Sequence, residues 1–135
     1  ATRPHEDAPA TGPFDVALCP RPARDGMKAW MHLRWPYCSA MFIKTRAFWP
    51  DVYATMRALP TREWVDNMEA VGAVVNSGRY RVQLLDPSLY NRVPKSRDAY
   101  DPAVKIYHFK GGRKDNRHLW MGDFYDQYMR EVAHA

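Results

Sequence analysis

The stretch Lys105-Ile-Tyr-His-Phe-Lys-Gly-Gly-Arg-Lys114 is a short apolar run followed by two glycines that stand between basic residues. The β-branched and aromatic residues over 104–109 favour an extended strand, and two successive glycines are expected to end it. His108 would then stand at a strand end, beside a turn whose bare backbone N–H groups can approach an anion. The pattern predicts a phosphate or metal-phosphate site.

The composition is that of one soluble domain. The chain has 135 residues, of which 46% are hydrophobic and 13% aromatic, so it can bury a core. Residues 1–13 contain three prolines and no apolar period, so we expect a ragged N-terminal segment there, followed by a domain over residues 14–135. The sequence has no run of about 18 apolar residues, which a membrane-spanning helix needs.

The two cysteines and the charge give weaker indications. Cys19 and Cys38 have neither C-x-x-C spacing nor a matching histidine cluster, which disfavours a zinc site or a disulfide framework and fits a reducing, cytoplasmic setting, free or peripheral to a membrane. The net charge of +5 fits a nucleic acid, a phosphorylated small molecule or a plain solubilising surface.

Apolar periodicity predicts a mixed α/β fold. The patterns indicate strands over 14–19, 37–44 and 80–85, a helix over 48–58, a second helix capped by Thr61 and closed by Gly78, and a final helix to the chain end. Residues 89–91 are expected to be extended or irregular, and residues 92–103 to form a polar loop. The final helix carries an aromatic and methionine stripe, which we interpret as core.

The chemistry-bearing residues favour a metal-diphosphate site over hydrolysis or hydride transfer. The sequence has no H-E-x-x-H, Walker A or G-x-G-x-x-G motif and no evident Ser-His-Asp set. A neutral His108 imidazole can complete an octahedral Mn²⁺ site whose other ligands are carboxylates and phosphate oxygens. Gly111, Gly112 and Lys114 can hold the same diphosphate. The structural alternative, a hairpin with a basic turn, is the more common origin of such a pattern.

Four segments resemble retaining glycosyltransferases of the glycogenin and bacterial lipopolysaccharide galactosyltransferase type. His108, Gly111 and Lys114 match the family signature H-x-x-G-x-x-K-P-W, although Asp115-Asn116 stands in place of Pro-Trp. The segment 85–91 resembles the one before that signature, Asp66-Asn67 resembles an Asp-Gln pair at a helix start, and 37–43 resembles the strand with a small element facing the sugar. The order and approximate spacing agree over residues 14–128.

The resemblance implies a GT-A fold and transfer of a sugar from a nucleotide-diphosphate sugar, usually a UDP-sugar, to a saccharide, lipid-linked or protein acceptor. It makes His108 a ligand of Mn²⁺ (or Mg²⁺), and makes Gly111, Gly112 and Lys114 diphosphate contacts. It places the residues of the remaining two segments in the donor-sugar pocket: Asp66, Asn67, Ser39 and Ala40. The family's Asp-x-Asp motif does not occur in this sequence. We therefore expect a partial GT-A domain that corresponds to the carboxy-terminal half and lacks the nucleotide-binding half.

Other interpretations remain open. Ser39 and Ala40 could make room only for a neighbouring helix, and an acid such as Asp66 is favoured in a first helical turn without any functional role. A basic module could grip nucleic acid or another polyanion through cations from Lys105 to Arg117, with Tyr107 or Trp120 stacking on bases. A packed structural remnant without a ligand is the third possibility. Because the cations are dispersed, nucleic acid is not the expected partner.

Overall fold

The computed structural model describes residues 13–21, 28–60, 63, 66–109 and 117–135, with only the backbone of Ser39, Ala40 and Arg117. Inter-residue contacts divide the chain into two compact units, the first ending at Pro87 and the second beginning at Ser88. This boundary falls inside the domain predicted over residues 14–135.

The first unit is built on a three-stranded sheet in the order β2-β1-β3. Its strands are β1, Val16–Pro20, β2, Tyr37–Ile43, and β3, Val82–Leu84. β1 pairs antiparallel with β2 and parallel with β3, with a shift in the β2 register between Leu18 and Pro20. Val16 to Cys19 are fully buried, which explains why this central strand is a continuous apolar run.

The described part of the first unit also contains three helices, of which the last two contribute buried side chains to a core shared with β1. They are α1, Ala29–Arg34, α2, Phe48–Ala58, and α3, Asp66–Val75. The core consists of eight buried side chains from β1, α2 and α3: Val16, Leu18, Phe48, Val52, Ala70, Val71, Val74 and Val75. Gly78, which follows α3, has a φ of 79°, the left-handed conformation that glycine adopts readily after a helix.

The second unit contains most of a four-residue helix, α4, Pro87–Tyr90, and the long helix α5, Trp120–Ala133, preceded by a 3₁₀ turn, Arg117–Leu119. Between them, residues 91–109 are irregular. The face of α5 that meets the rest of this unit carries Phe124, whose ring is edge-to-face with Tyr107 and Phe109 at centroid distances of 4.8 and 5.1 Å.

The mixed α/β class is confirmed, as are helix 48–58 and, to within one residue, strand 37–44. Two elements are shorter or shifted: the first strand occupies 16–20 rather than 14–19, and the third 82–84 rather than 80–85. The Thr61 cap lies outside the described residues. The prediction of extended or irregular structure at 89–91 is wrong for its first two residues, because they belong to a helix that begins at Pro87, a position that suits the fixed φ of proline.

The predicted strand over 104–109 is also wrong. Tyr107 makes a single parallel bridge with Arg92, and the rest of the segment is irregular. The aromatic side chains pack on α5 instead of joining a sheet.

The stripe predicted as core on α5 is mostly exposed. Phe124 is 4% exposed, whereas the remaining members of the predicted stripe are between 44% and 61% exposed: Met121, Tyr125, Tyr128, Met129 and Val132.

Candidate functional site

The backbone of His108 is held by a neighbouring segment that runs parallel to it. The Leu89 carbonyl accepts hydrogen bonds from the backbone N–H groups of Lys105 and Ile106, at 2.8 and 3.1 Å. Arg92 N–H donates to the Ile106 carbonyl at 3.1 Å, and His108 N–H donates to the Arg92 carbonyl at 2.8 Å. These bonds fix the register between residues 89–92 and 105–108, although no regular strand forms.

The same register brings the His108 ring to Asn91. The Nδ1 atom of His108 lies 3.0 Å from the Asn91 Oδ1 atom, and the Asn91 side chain is buried. A carboxamide oxygen only accepts hydrogen bonds, so Nδ1 is the donor in this contact. A second group that binds one ring nitrogen and fixes the tautomer is the usual surrounding of a metal-binding histidine.

The predicted diphosphate contacts Gly111, Gly112 and Lys114 lie outside the described residues, as do Lys110 and Arg113. The structure therefore brings together two of the four resembling segments, 85–91 and the start of 108–114, and describes only His108 of the signature triplet.

Tyr107 is held within the second unit. Its hydroxyl accepts a hydrogen bond from Asp101 N–H at 2.5 Å and donates one to the Asp101 carbonyl at 3.0 Å. Burial is the main cause that raises the pKa of this tyrosine. Because its ring packs against Phe124 and Phe109, Tyr107 is poorly placed to stack on a nucleic-acid base.

Tyr100 completes this aromatic cluster and reaches α5. Its hydroxyl donates to the Glu131 carboxylate at 2.8 Å, and its ring is edge-to-face with Phe124 at 6.0 Å. Burial, followed by the Glu131 hydrogen bond, raises the pKa of Tyr100 to about 12. The tyrosine is therefore neutral at physiological pH and acts as a donor.

Asp66 lies in the first unit, at the start of α3, with 4% of its surface exposed. Its Oδ2 atom accepts from the backbone N–H of Glu63 at 3.0 Å, and its own N–H donates to the Glu63 carbonyl at 3.1 Å. This reciprocal pairing resembles a capping box and gives Asp66 a structural role. Its Oδ1 atom is buried and has no hydrogen-bond partner among the described residues.

A small cavity of about 290 Å³ lies beside this carboxylate, lined by Asp66, Met56, Arg57 and Glu63. A buried carboxylate oxygen without a donor is energetically costly. The neighbouring Asn67 is exposed, and its Oδ1 atom accepts from the Met68 N–H at 2.9 Å.

The other two pocket candidates, Ser39 and Ala40, lie in the middle of β2. Their backbone belongs to the described part of the chain, and their side chains lie outside it.

A larger groove of about 680 Å³ was not anticipated from the sequence. It lies in the second unit between α5 and residues 100–109. Most of its lining is apolar or aromatic, and its charged residues are Lys105 and Glu131. The sequence signal for this groove is the apolar stripe on α5, which contains several large side chains besides the buried Phe124.

Within the described residues, no group of three or more His, Cys, Asp or Glu side chains is placed to hold a metal ion. No helix among them is long and apolar enough to cross a membrane. Comparisons with protein-family models, with curated proteins and with solved structures give no match to this chain.

Proposed function

We propose that the chain is part of a metal-dependent glycosyltransferase that binds a nucleotide-diphosphate sugar, of the UDP-sugar type, and transfers the sugar to an acceptor hydroxyl. The observation that carries the proposal is the hydrogen bond between Asn91 and His108. It joins, in space, two segments that resemble the same enzyme family and lie 17 residues apart. It also orients the His108 ring through one of its nitrogens, as the partners of metal-binding histidines do.

His108 fits one position of an octahedral Mn²⁺ or Mg²⁺ site. One imidazole does not hold such an ion alone, so the diphosphate oxygens and carboxylates outside the described residues would complete the ligand set. When bound, the metal neutralises the charge of the diphosphate leaving group. In this proposal Gly111 and Gly112 offer backbone N–H groups to the diphosphate, and Lys114 offers its ammonium group.

The donor-sugar pocket is proposed to include Asp66, Asn67, Ser39 and Ala40. The position of Asp66 beside a cavity supports this role. The acceptor would be a saccharide, a lipid-linked saccharide or a protein, and the compartment the cytoplasm. The mixed α/β class is compatible with part of a GT-A fold.

The test is calorimetric titration of UDP into the intact parent protein with and without Mn²⁺. Wild type should bind UDP more tightly with the metal, and His108→Ala should abolish that metal-dependent gain. His134→Ala, which removes an exposed histidine at the end of α5, is the matched control and should retain it. Equal metal-dependent affinity in wild type and His108→Ala would remove His108 from the site.

Two further variants separate orientation from bulk stability. Asn91→Leu removes the acceptor from Nδ1 and should weaken the metal-dependent binding by about tenfold, as expected when the group orienting a metal ligand is lost. Asn91→Asp keeps an acceptor and should restore it.

Lys114→Ala should weaken UDP binding by about 1.5 to 3 kcal/mol if a charge-assisted hydrogen bond is lost. Metal-independent binding that falls steeply with salt would instead favour a polyanion-binding module.

A further inference from the structure

One exposed face of α5 is apolar and aromatic. Met121, Tyr125, Tyr128 and Val132, here called the seam, are 54%, 61%, 50% and 49% exposed. A contiguous apolar patch of several hundred Å² on a protein surface usually marks an interaction site. The seam also forms one side of the groove of about 680 Å³, whose other side includes Pro102 and Val104.

The spacing of the seam suits pairing with another helix. Its four residues follow one another at intervals of four, three and four, the repeat that places side chains along one line of a two-helix interface. The charged residues Asp123, Asp126 and Arg130 occupy the other side of the helix, as the 100° step per residue requires. Two seams can therefore meet without opposing like charges.

The exposed area matches what a small dimer interface needs. With large side chains contributing about 200 Å² each, the exposed parts of the seam and Met129 together offer roughly 500 Å². Two copies would bury on the order of 1,000 Å², near the lower limit of a specific protein interface. The two charges of the groove, Lys105 and Glu131, have opposite signs, so a copy of the same surface related by two-fold symmetry could complement them.

We propose that the seam is the contact surface of a homodimer in which α5 packs antiparallel against α5 of a second copy. In this arrangement Met121 faces Val132 of the other copy and Tyr125 faces Tyr128, so every seam residue meets an apolar or aromatic partner. In the antiparallel orientation the two helix dipoles also point in opposite directions, which is electrostatically favourable. The proposal is independent of the glycosyltransferase assignment.

Sedimentation equilibrium of the full chain over a concentration series tests the dimer. Wild type should approach twice the mass of one chain, and Tyr125→Lys should weaken association by about thirtyfold or more, the loss typical of a central aromatic contact. Leu33→Lys is the matched control: Leu33 on α1 is 85% exposed, so it loses a comparable exposed apolar residue outside the seam and should leave association unchanged. A wild type that stays monomeric at the highest concentration, or equal weakening by both variants, overturns the proposal.

Cysteine cross-linking tests the orientation. Chains carrying Met121→Cys and chains carrying Val132→Cys should form a disulfide-linked dimer when mixed under mild oxidation, and each alone should cross-link poorly. Cys19 and Cys38 are buried and supply the background control in the unsubstituted chain. Cross-linking of each variant with itself, with no product that joins the two variants in the mixture, would rule out the antiparallel arrangement.

Discussion

Replacing Gly72 by alanine should destabilise the first unit, although the same substitution usually stabilises a helix. An added Cβ at Gly72 on α3 would lie 2.9 Å from Pro36 Cδ and 3.0 Å from Pro36 Cγ. Glycine to alanine in an open helix stabilises by about 1 kcal/mol, whereas overpacking a closed site costs about 1 to 3 kcal/mol. The Pro36 ring is rigid, and its carbonyl accepts a hydrogen bond from Arg21 N–H at 2.8 Å, so it has little room to yield. We expect a net loss of about 1 kcal/mol.

Gly122 on α5 is the matched control, because no neighbouring atom lies within 4 Å of its added Cβ. Gly122→Ala should stabilise its helix by about 1 kcal/mol through propensity alone. Hydrogen exchange with mass spectrometry reports the opening free energy of each unit separately, so the two substitutions can be compared although they lie in different units. Stabilisation of α3 by Gly72→Ala would refute the proposed contact with Pro36.

Two further predictions concern titratable groups of the first unit. Arg81 hydrogen-bonds to Asp15 and lowers the pKa of that carboxyl below its ordinary value of 3.8, so this pair should stabilise the fold above that pH and lose its contribution as pH falls through the depressed pKa. Urea unfolding of wild type and Asp15→Asn should therefore differ at neutral pH and converge in acid; a constant difference would contradict this. Burial raises the pKa of the Cys19 thiol to about 12, so Cys19 should resist alkylation in the native chain at about pH 8 and react once urea unfolds it, whereas rapid native labelling would contradict its burial.

Much of the first unit could be predicted from local patterns. Helix α2 follows from the spacing of Phe48, Val52 and Met56, and the turn at Gly78 from the conformational freedom of glycine. These features depend on residues a few positions apart, so the sequence alone determines them. The limits of β1 and β3 were less certain, because strand ends depend on the partner strand as well as on propensity.

The segment 104–109 shows how tertiary contacts override propensity. Its residues favour a strand, but Tyr107 and Phe109 gain more by packing around Phe124 than a lone edge strand would offer. The contact between His108 and Asn91 depends on the same chain path, so motif spacing alone could not reveal it. The available sequence signal for this contact was an asparagine directly after apolar Leu89 and Tyr90, because an amide that is buried with such neighbours needs a hydrogen-bond partner.

The α5 stripe illustrates a different limit. Periodicity of 3.6 predicts that a helix has an apolar face, and it does so here, but it does not specify what covers that face. Phe124 is covered within the second unit, whereas the seam is exposed. The sequence pattern does not distinguish Phe124 from the seam, because apolar side chains are used both where a residue packs within its own chain and where it packs against another.

The central position of β1 has a consequence for how the protein folds as it is made. β1 lies between β2, which follows it closely in the chain, and β3, whose residue Leu84 pairs with Leu18 across 66 positions. The parallel pairing can form only after the ribosome has released the chain through Leu85, whose N–H donates to the Leu18 carbonyl at 2.9 Å. Until then one edge of this apolar strand has no partner strand, so we expect β1 to be exposed to misassociation during synthesis and its non-local pairing to slow the folding of this unit.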